Sequence, residues 1–232
     1  MKVAALISGG KDSIFSTYVA LHYGWEVEYL VTLLPKRNDS WMFHSVNLDL
    51  MKGIADSMKI PLISRETDGE KEKELMDLKR ALEGLEIEGV ISGAVASDYQ
   101  RERICKVCDE LGLKSFTPIW HKNPEELLKR QINSNFEIMI VAVAAGGMDK
   151  EWLGRVLNRK NIDEFIDMCR RNRIHPAGEG GEFETLVLDC PLYWKRFIVE
   201  EIEIKWRGDT GYAIVRNIKK EEKSVDDIIE SL

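Results

Sequence analysis

Six residues near the N-terminus, Ser8-Gly9-Gly10-Lys11-Asp12-Ser13, leave this chain few choices of architecture. They follow the apolar run Val3-Ala4-Ala5-Leu6-Ile7, too short for a free-standing helix and readable as a buried strand. Beyond them Ile14, Tyr18, Val19 and Leu21 recur at helical spacing until Gly24, a C-terminal stop. A strand, a glycine turn and a first helical turn make an anion-binding geometry. Unpaired backbone N–H groups and the positive end of the helix dipole meet there. Gly9 and Gly10 let a phosphate approach the backbone with no Cβ in the way. Ser8 and Ser13 add hydroxyl donors, Lys11 a point charge, and Asp12 a carboxylate suited to magnesium. A tight turn with a capping serine would explain Gly-Gly alone, but not the charged and hydroxyl residues around it.

The spacing excludes two familiar phosphate loops. A Walker loop needs Gly-x-x-x-x-Gly-Lys-Ser/Thr, and a dinucleotide fingerprint needs Gly-x-Gly-x-x-Gly. Ser-Gly-Gly-Lys-Asp-Ser instead resembles the pyrophosphate loop of the N-type ATP pyrophosphatases. That resemblance implies ATP as the bound nucleotide and its cleavage to AMP and pyrophosphate, hence adenylation rather than kinase chemistry.

With 232 residues, one large or two modest domains are expected. The net charge of −7 argues against nucleic acid as the main partner, although a local basic patch could survive it. No apolar run approaches membrane-spanning length, and Met1-Lys2 leads straight into a strand, so neither a membrane span nor a signal peptide is expected. The expected compartment is the cytoplasm. Of the four cysteines, Cys105 and Cys108 form a C-x-x-C inside an amphipathic helical stretch, Ile104–Leu111. Cys169 and Cys190 stand alone, so a second pair at metal-binding spacing is missing. Buried helix cysteines are the expectation.

Strand and helix patterns alternate through the first half. Glu26–Leu34, Pro61–Arg65, Gly89–Ala94 and Lys114–Ile119 read as strands. Between them, helices are expected from Ser45 through Met58, over Glu70–Leu85 and over Asp98–Leu111. Such alternation means βαβ units and a parallel sheet, with ligands outside the carboxyl ends of its strands. The glycine loop, Thr32–Leu34 with Leu33 among them, Trp41–His44 and Gly93–Ser97 all fall at those ends. Met42 and Phe43 read equally well as loop core or as an adenine contact, and His44 as a hydrogen-bonded structural histidine. Gly93 and Ala94 are small enough to admit an adenine face.

Pro124-Glu125-Glu126 carries helix-start signals, which places a domain boundary there: 1–124 and 125–232. In the second part Glu137–Ala145 reads as a strand, and Trp152–Leu157 and Ile162–Cys169 as helices. Phe197–Trp206 and Tyr212–Ile218 read as a hairpin closed by Gly208-Asp209-Thr210-Gly211, and Lys219–Leu232 as a charged tail with a short helix. The informative stretch is His175-Pro176-Ala177-Gly178-Glu179-Gly180-Gly181-Glu182-Phe183-Glu184-Thr185. Glycines and a proline require irregular backbone, and carboxylates at this density repel unless solvated, paired or bound to a cation. Leu186-Val187-Leu188 directly after suggests a loop feeding a buried strand, which would pin the acids in place.

Ser8–Ser13, Gly93-Ala94-Val95-Ala96-Ser97-Asp98-Tyr99-Gln100-Arg101 and His175–Pro191 together resemble the diphthine–ammonia ligase branch of the pyrophosphatase superfamily. The similarity runs from residue 1 to about residue 220, and Glu-Gly-Gly-Glu-Phe-Glu-Thr is its most specific part. It implies an α/β fold with a parallel-sheet, HUP-like nucleotide domain and a smaller α+β substrate domain. It also implies amidation of diphthine on elongation factor 2 to diphthamide, using ATP, Mg2+ and ammonium through an acyl-adenylate. In that reading Ser8, Gly9, Gly10, Lys11, Asp12, Ser13, Leu33, Met42, His44, Gly93 and Ala94 surround the nucleotide, with Asp12 on the metal. Lys11, Asp12, Asp98, Arg101 and Glu182 serve the chemistry, and Glu179, Glu182, Glu184 and Thr185 the substrate. Arg101 could hold a phosphate or the substrate carboxylate bidentately, or form a surface salt bridge. The trimethylammonium of diphthine suits an aromatic face, for which Phe183, Trp120 and Trp194 are candidates. No glutaminase is visible, so free ammonium is the expected nitrogen donor.

Two rivals belong to other classes. A tRNA thiolase or related RNA-modifying ligase shares the loop, and Cys105 and Cys108 keep it in play, whereas the acidic balance counts against it. A non-catalytic ATP sensor shares the fold and would bind without releasing pyrophosphate. The sequence leaves the oligomeric state open, a homo-oligomer included.

Overall fold

The computed structural model describes residues 1–35, 44–68 and 71–224. It divides into two units, Met1–Ser8 with Asp12–His121, and Gly9–Lys11 with Lys122–Leu232.

In the first unit the strands are β1 (Lys2–Leu6), β2 (Glu26–Pro35), β3 (Leu62–Thr67), β4 (Gly89–Ile91) and β5 (Lys114–Phe116). The helices between them are α1 (Lys11–His22), α2 (His44–Met58), α3 (Lys71–Leu82) and α4 (Asp98–Leu111). Every pairing is parallel, and the order is β3-β2-β1-β4-β5. The sequence runs outward from β1 to β3, then returns to add β4 and β5 on the other side. That reversal puts the topological switch point at the carboxyl ends of β1 and β4. This is the HUP-like α/β architecture expected. Ala4, Val31 and Val90, one from each of three adjacent strands, are buried with Leu78, Leu82, Val107 and Cys108 of the helices. Capping sets the bounds of α4: the Ser97 hydroxyl accepts from the Gln100 N–H, and Gly112 closes the helix at φ 69.

The second unit is α+β. Its strands are β6 (Glu137–Val143), β7 (Val156–Leu157), β8 (Phe183–Asp189), β9 (Lys195–Arg207) and β10 (Thr210–Glu222), and its helices α5 (Pro124–Asn133) and α6 (Ile162–Asn172). β6 lies at the centre, antiparallel to β8 on one side and to β7 and β10 on the other. Asn123 caps α5 by accepting from the N–H groups of Glu125 and Glu126, with Pro124 at the first helical position.

Three expectations for this unit need correction. Trp152–Leu157 is not a helix. A 3-10 turn over Lys150–Trp152 is followed by β7. Gly154 has φ +78, its N–H donates to Ile140 O, and Ile140 N–H donates to Arg155 O. Pairing with β6 thus takes the backbone bonds a helix would have used. The hairpin turn is also tighter than expected, because Thr210 already pairs with Arg207 across Gly208-Asp209. A bulge shifts the register from Val215–Ile202 to Asn217–Glu201 to Ile218–Val199, which absorbs the break in alternation between Val199 and Ile202. Finally, Lys219–Glu222 continues β10 rather than starting a helix, and residues 225–232 lie outside the described residues. Among the described residues no helix is long and apolar enough to cross a membrane.

Candidate active site

The glycine loop turns between β1 and α1. Gly9 takes φ 78, a conformation that glycine adopts freely. Ser8 N–H donates to Ser13 Oγ at 3.2 Å, and the two hydroxyl oxygens lie 3.3 Å apart. Thr17 Oγ1 donates to Ser13 O one turn on. Gly93, just beyond β4, touches the start of α1. A Cβ there would sit 2.6 Å from Ser13 N and 2.7 Å from Ser13 Cα, so any side chain would displace backbone. The absence of a side chain at Gly93 therefore fixes how close the end of β4 comes to the helix start. Asp12 is half-buried, Ala94 buried and Asp98 exposed.

Leu33 is turned toward the hydrophobic cluster around Ala4, Val31 and Val90. Met42 lies outside the described residues, and of His44 only the backbone is described, as the first residue of α2.

Arg101 stands on the first turn of α4, with its guanidinium carbon 4.8 Å from the Trp120 ring centroid. The Trp120 ring is itself stacked with His121 at 4.5 Å and 16°. Trp120 thus already carries neighbours on its ring.

In the second unit, Gly9–Lys11 lie beside β8 and the loop before it. Val187 N–H donates to Gly9 O at 3.0 Å, and Lys11 N–H donates to Thr185 Oγ1 at 3.2 Å. Lys11 Nζ donates to Ala177 O at 2.7 Å and lies 5.5 Å from the Phe183 ring centroid. Lys11 is only 3% exposed, so this ammonium is desolvated and held at both ends of the residue.

The expected carboxylates divide into different situations. Glu182 folds back on its own loop: Oε1 accepts from His175 N–H at 3.3 Å and Oε2 from Gly180 N–H at 2.8 Å. Its carbonyl accepts from Ala144 N–H, which continues the ladder beyond β6. Ala177 N–H donates to His175 Nδ1, and Gly178 N–H to His175 O, so the loop is a chain of short turns. Glu184 projects from β8 on the face opposite Phe183, Thr185 and Val187, as strand alternation requires. It is exposed by surface area, yet the surrounding protein desolvates its carboxyl and holds it above the usual carboxylate range. Glu179 is half-buried. Phe183 is buried edge-on against Phe165, whereas Trp194 is exposed.

Two features escaped the sequence reading. The Ala177 carbonyl is a backbone acceptor and carries no residue signature. The contact of the Arg101 guanidinium with the Trp120 ring joins residues from separate segments, signalled only by an aromatic beside a predicted strand end. Cys108 is fully buried, and burial pushes its thiol up to about 11; all four cysteines are free. Among the described residues no three His, Cys, Asp or Glu side chains converge as metal ligands.

Fold and loop together place the chain in the N-type ATP pyrophosphatase class. A model of the diphthamide synthase N-terminal domain matches residues 1–115, and one of the C-terminal domain matches residues 123–223. The human diphthine–ammonia ligase is 34% identical over 255 aligned positions, covering 100% of this chain and 95% of the relative. The diphthine–ammonia ligase of Schizosaccharomyces pombe is 36% identical over 96% of this chain, which spans 40% of that longer protein. The chain belongs to the diphthamide synthase family of diphthine–ammonia ligases. A crystal structure titled as a predicted subunit of tRNA methyltransferase from Methanocaldococcus jannaschii aligns with TM-score 0.41 at 14% identity, covering 95% of this chain and 99% of that one. At that level the likeness bears on neither fold nor activity.

Proposed function

We propose that the chain is an AMP-forming ligase that converts the carboxylate of diphthine on elongation factor 2 to the amide of diphthamide, with ATP and ammonium. The observation that carries this reading is the match to both family domains together with full-length relatives of that name. A free carboxylate does not react with ammonia at useful rates, because the leaving group would be an oxide. Attack of a carboxylate oxygen on the α-phosphorus of ATP breaks the bond to the β-phosphate and releases pyrophosphate. Ammonia, formed when ammonium gives up a proton, then attacks the acyl carbon. The acyl–oxygen bond breaks, AMP leaves, and a second proton goes to solvent.

Residues 1–124 would bind the nucleotide and 125–232 the substrate. Ser8, Gly9, Gly10 and Ser13 would cradle the pyrophosphate, and Lys11 would neutralise its growing charge, a positioning and electrostatic role. Gly93 and Ala94 would pass under the adenine. The bonds that Glu182 makes to His175 and Gly180 support a positioning role, and Glu179 and Glu184 would meet the trimethylammonium or the ammonium. Trp194, exposed, suits the trimethylammonium better than buried Phe183 or stacked Trp120. Asp12 and the ATP phosphates would hold Mg2+, an ion commonly bound through one or two carboxylates plus substrate phosphates. It would supply charge neutralisation on those phosphates. The reaction would take place in the cytoplasm with no nucleic acid involved.

The test is incubation of the purified protein with magnesium-ATP, ammonium and diphthine-bearing elongation factor 2. AMP together with the small mass loss of acid becoming amide is expected. AMP without that loss would reopen the substrate, and ATP bound but never cleaved would favour a sensor.

A further inference from the structure

We propose that Trp120 is a positioning residue that presets the Arg101 guanidinium as a planar fork for an oxyanion of the reacting pair. The proposal rests on the ligase reading above and deepens it at one residue pair. Arginines on this chain are commonly neutralised by neighbours: Arg80 by Asp77, Arg155 by Glu164, Arg170 by Glu125, Arg196 by Glu221 and Arg216 by Glu203. Among the described residues Arg101 has no carboxylate partner, in a protein whose acids outnumber its bases, 40 to 33. Its Nε is buried and makes no hydrogen bond, so the Nη groups are the donors left to reach a ligand.

The ring beneath it is held still. His121 sits at φ 52 with its N–H donating to Val95 O at 2.8 Å, and Trp120 N–H donates to Thr117 O at 3.1 Å. Val95 lies in the segment between β4 and α4, so one backbone bond ties the Trp120–His121 pair to the carboxyl edge that carries Gly93. A guanidinium held 4.8 Å from the centre of an indole ring loses side-chain freedom before any ligand arrives, and with Nε buried its Nη groups remain to donate. That arrangement matches a carboxylate or a phosphate bidentately. Two oxyanions are available to this reaction, the diphthine carboxylate and the α-phosphate of ATP.

The experiment compares Arg101→Lys, Trp120→Leu and Trp120→Phe with the wild type. Two readouts are needed: equilibrium ATP affinity by calorimetry, and kcat with KM for diphthine-bearing elongation factor 2. Melting temperatures monitor folding. Arg101→Lys and Trp120→Leu should weaken the same readout by about tenfold, the scale of one charge-assisted bond, and Trp120→Phe should recover most of it. Loss of ATP affinity would assign the phosphate; loss confined to KM for the protein substrate would assign the carboxylate. Trp120→Leu leaving both readouts unchanged while it folds, or lowering only the melting temperature, would overturn the proposal. A wild type that binds ATP but makes no amide would refute the ligase reading instead, and the affinity measurement would then decide on Arg101 and Trp120 alone.

Discussion

In Ser8–Ser13 the backbone takes its shape from what flanks it: a buried strand enters, a helix leaves, and Gly93 supports the helix start from the neighbouring strand end. In His175–Glu182 no regular element lies inside the loop, and short turns and the His175 ring shape it together with the Glu182 carboxylate, both of whose oxygens accept from the loop's own N–H groups. Both stretches are glycine-rich and both carry charge, yet one is a piece of secondary structure and the other a knot of short turns that a carboxylate helps tie. Function should therefore fail differently in the two. Damage to the first should act on the nucleotide, and damage to the second on the shape presented to the substrate.

The largest effect is expected at Lys11, whose ammonium, on the proposed reading, would leave Ala177 O to neutralise phosphate charge. Lys11→Met should lower the rate of AMP formation about 10²- to 10³-fold, as loss of a single preorganised charge-stabilising donor does, in single-turnover assays with saturating ATP. A drop of less than about tenfold would take Lys11 out of the chemistry.

Gly93→Ala tests the support of the first loop. Its methyl group has to push Ser13 backbone aside, which should cost about 1–3 kcal/mol in denaturant unfolding and weaken ATP affinity. The counterpart is Gly178→Ala, at φ +74 with its new Cβ 2.7 Å from Phe183 O. A similar stability loss is expected there, but with KM for the protein substrate raised more than ATP affinity is weakened. If both variants damaged the same readout, the contrast between the loops would collapse.

Glu182→Gln replaces one acceptor oxygen of the knot by an NH2 that faces an N–H donor. An unmet buried bond costs about 1–3 kcal/mol, with the low end expected at this half-buried site. Proteolysis within 175–182 should quicken, and amide formation should fall more than ATP binding does. Unchanged cleavage and normal turnover would mean the loop holds its shape without this carboxylate.

The smallest effect is a pH dependence at Glu184. Its folded carboxyl titrates above the unfolded one, because the surrounding protein disfavours the charge. Between those two pKa values the native state holds more protons than the unfolded chain, so stability declines as pH rises through that window. Glu184→Gln should flatten this decline in urea midpoints measured upward from an ordinary glutamate pKa of about 4.3 to about pH 7. A wild-type slope retained by the variant would place the titrating group elsewhere.

What the amino-acid order determined by itself was everything with a short range. The strand–turn–helix of the first loop, the α4 span from Asp98 to Leu111 and the start of α5 at Pro124 follow from spacing, capping and glycine within a few residues. The alternation of β and α over the first half then left a parallel sheet as the one economical packing. Periodicity misled at Trp152–Leu157, where β6 offered better backbone partners than a helix did. Only the tertiary structure could separate the acids, giving Glu182 to the loop's own N–H groups and desolvating the Glu184 carboxyl. It alone could pair Lys11 with Thr185 and Ala177, 174 and 166 residues away in the chain, and lay Arg101 on Trp120. Those partners are chosen by sheet pairing and by burial of a charge, and neither leaves a local mark on the sequence.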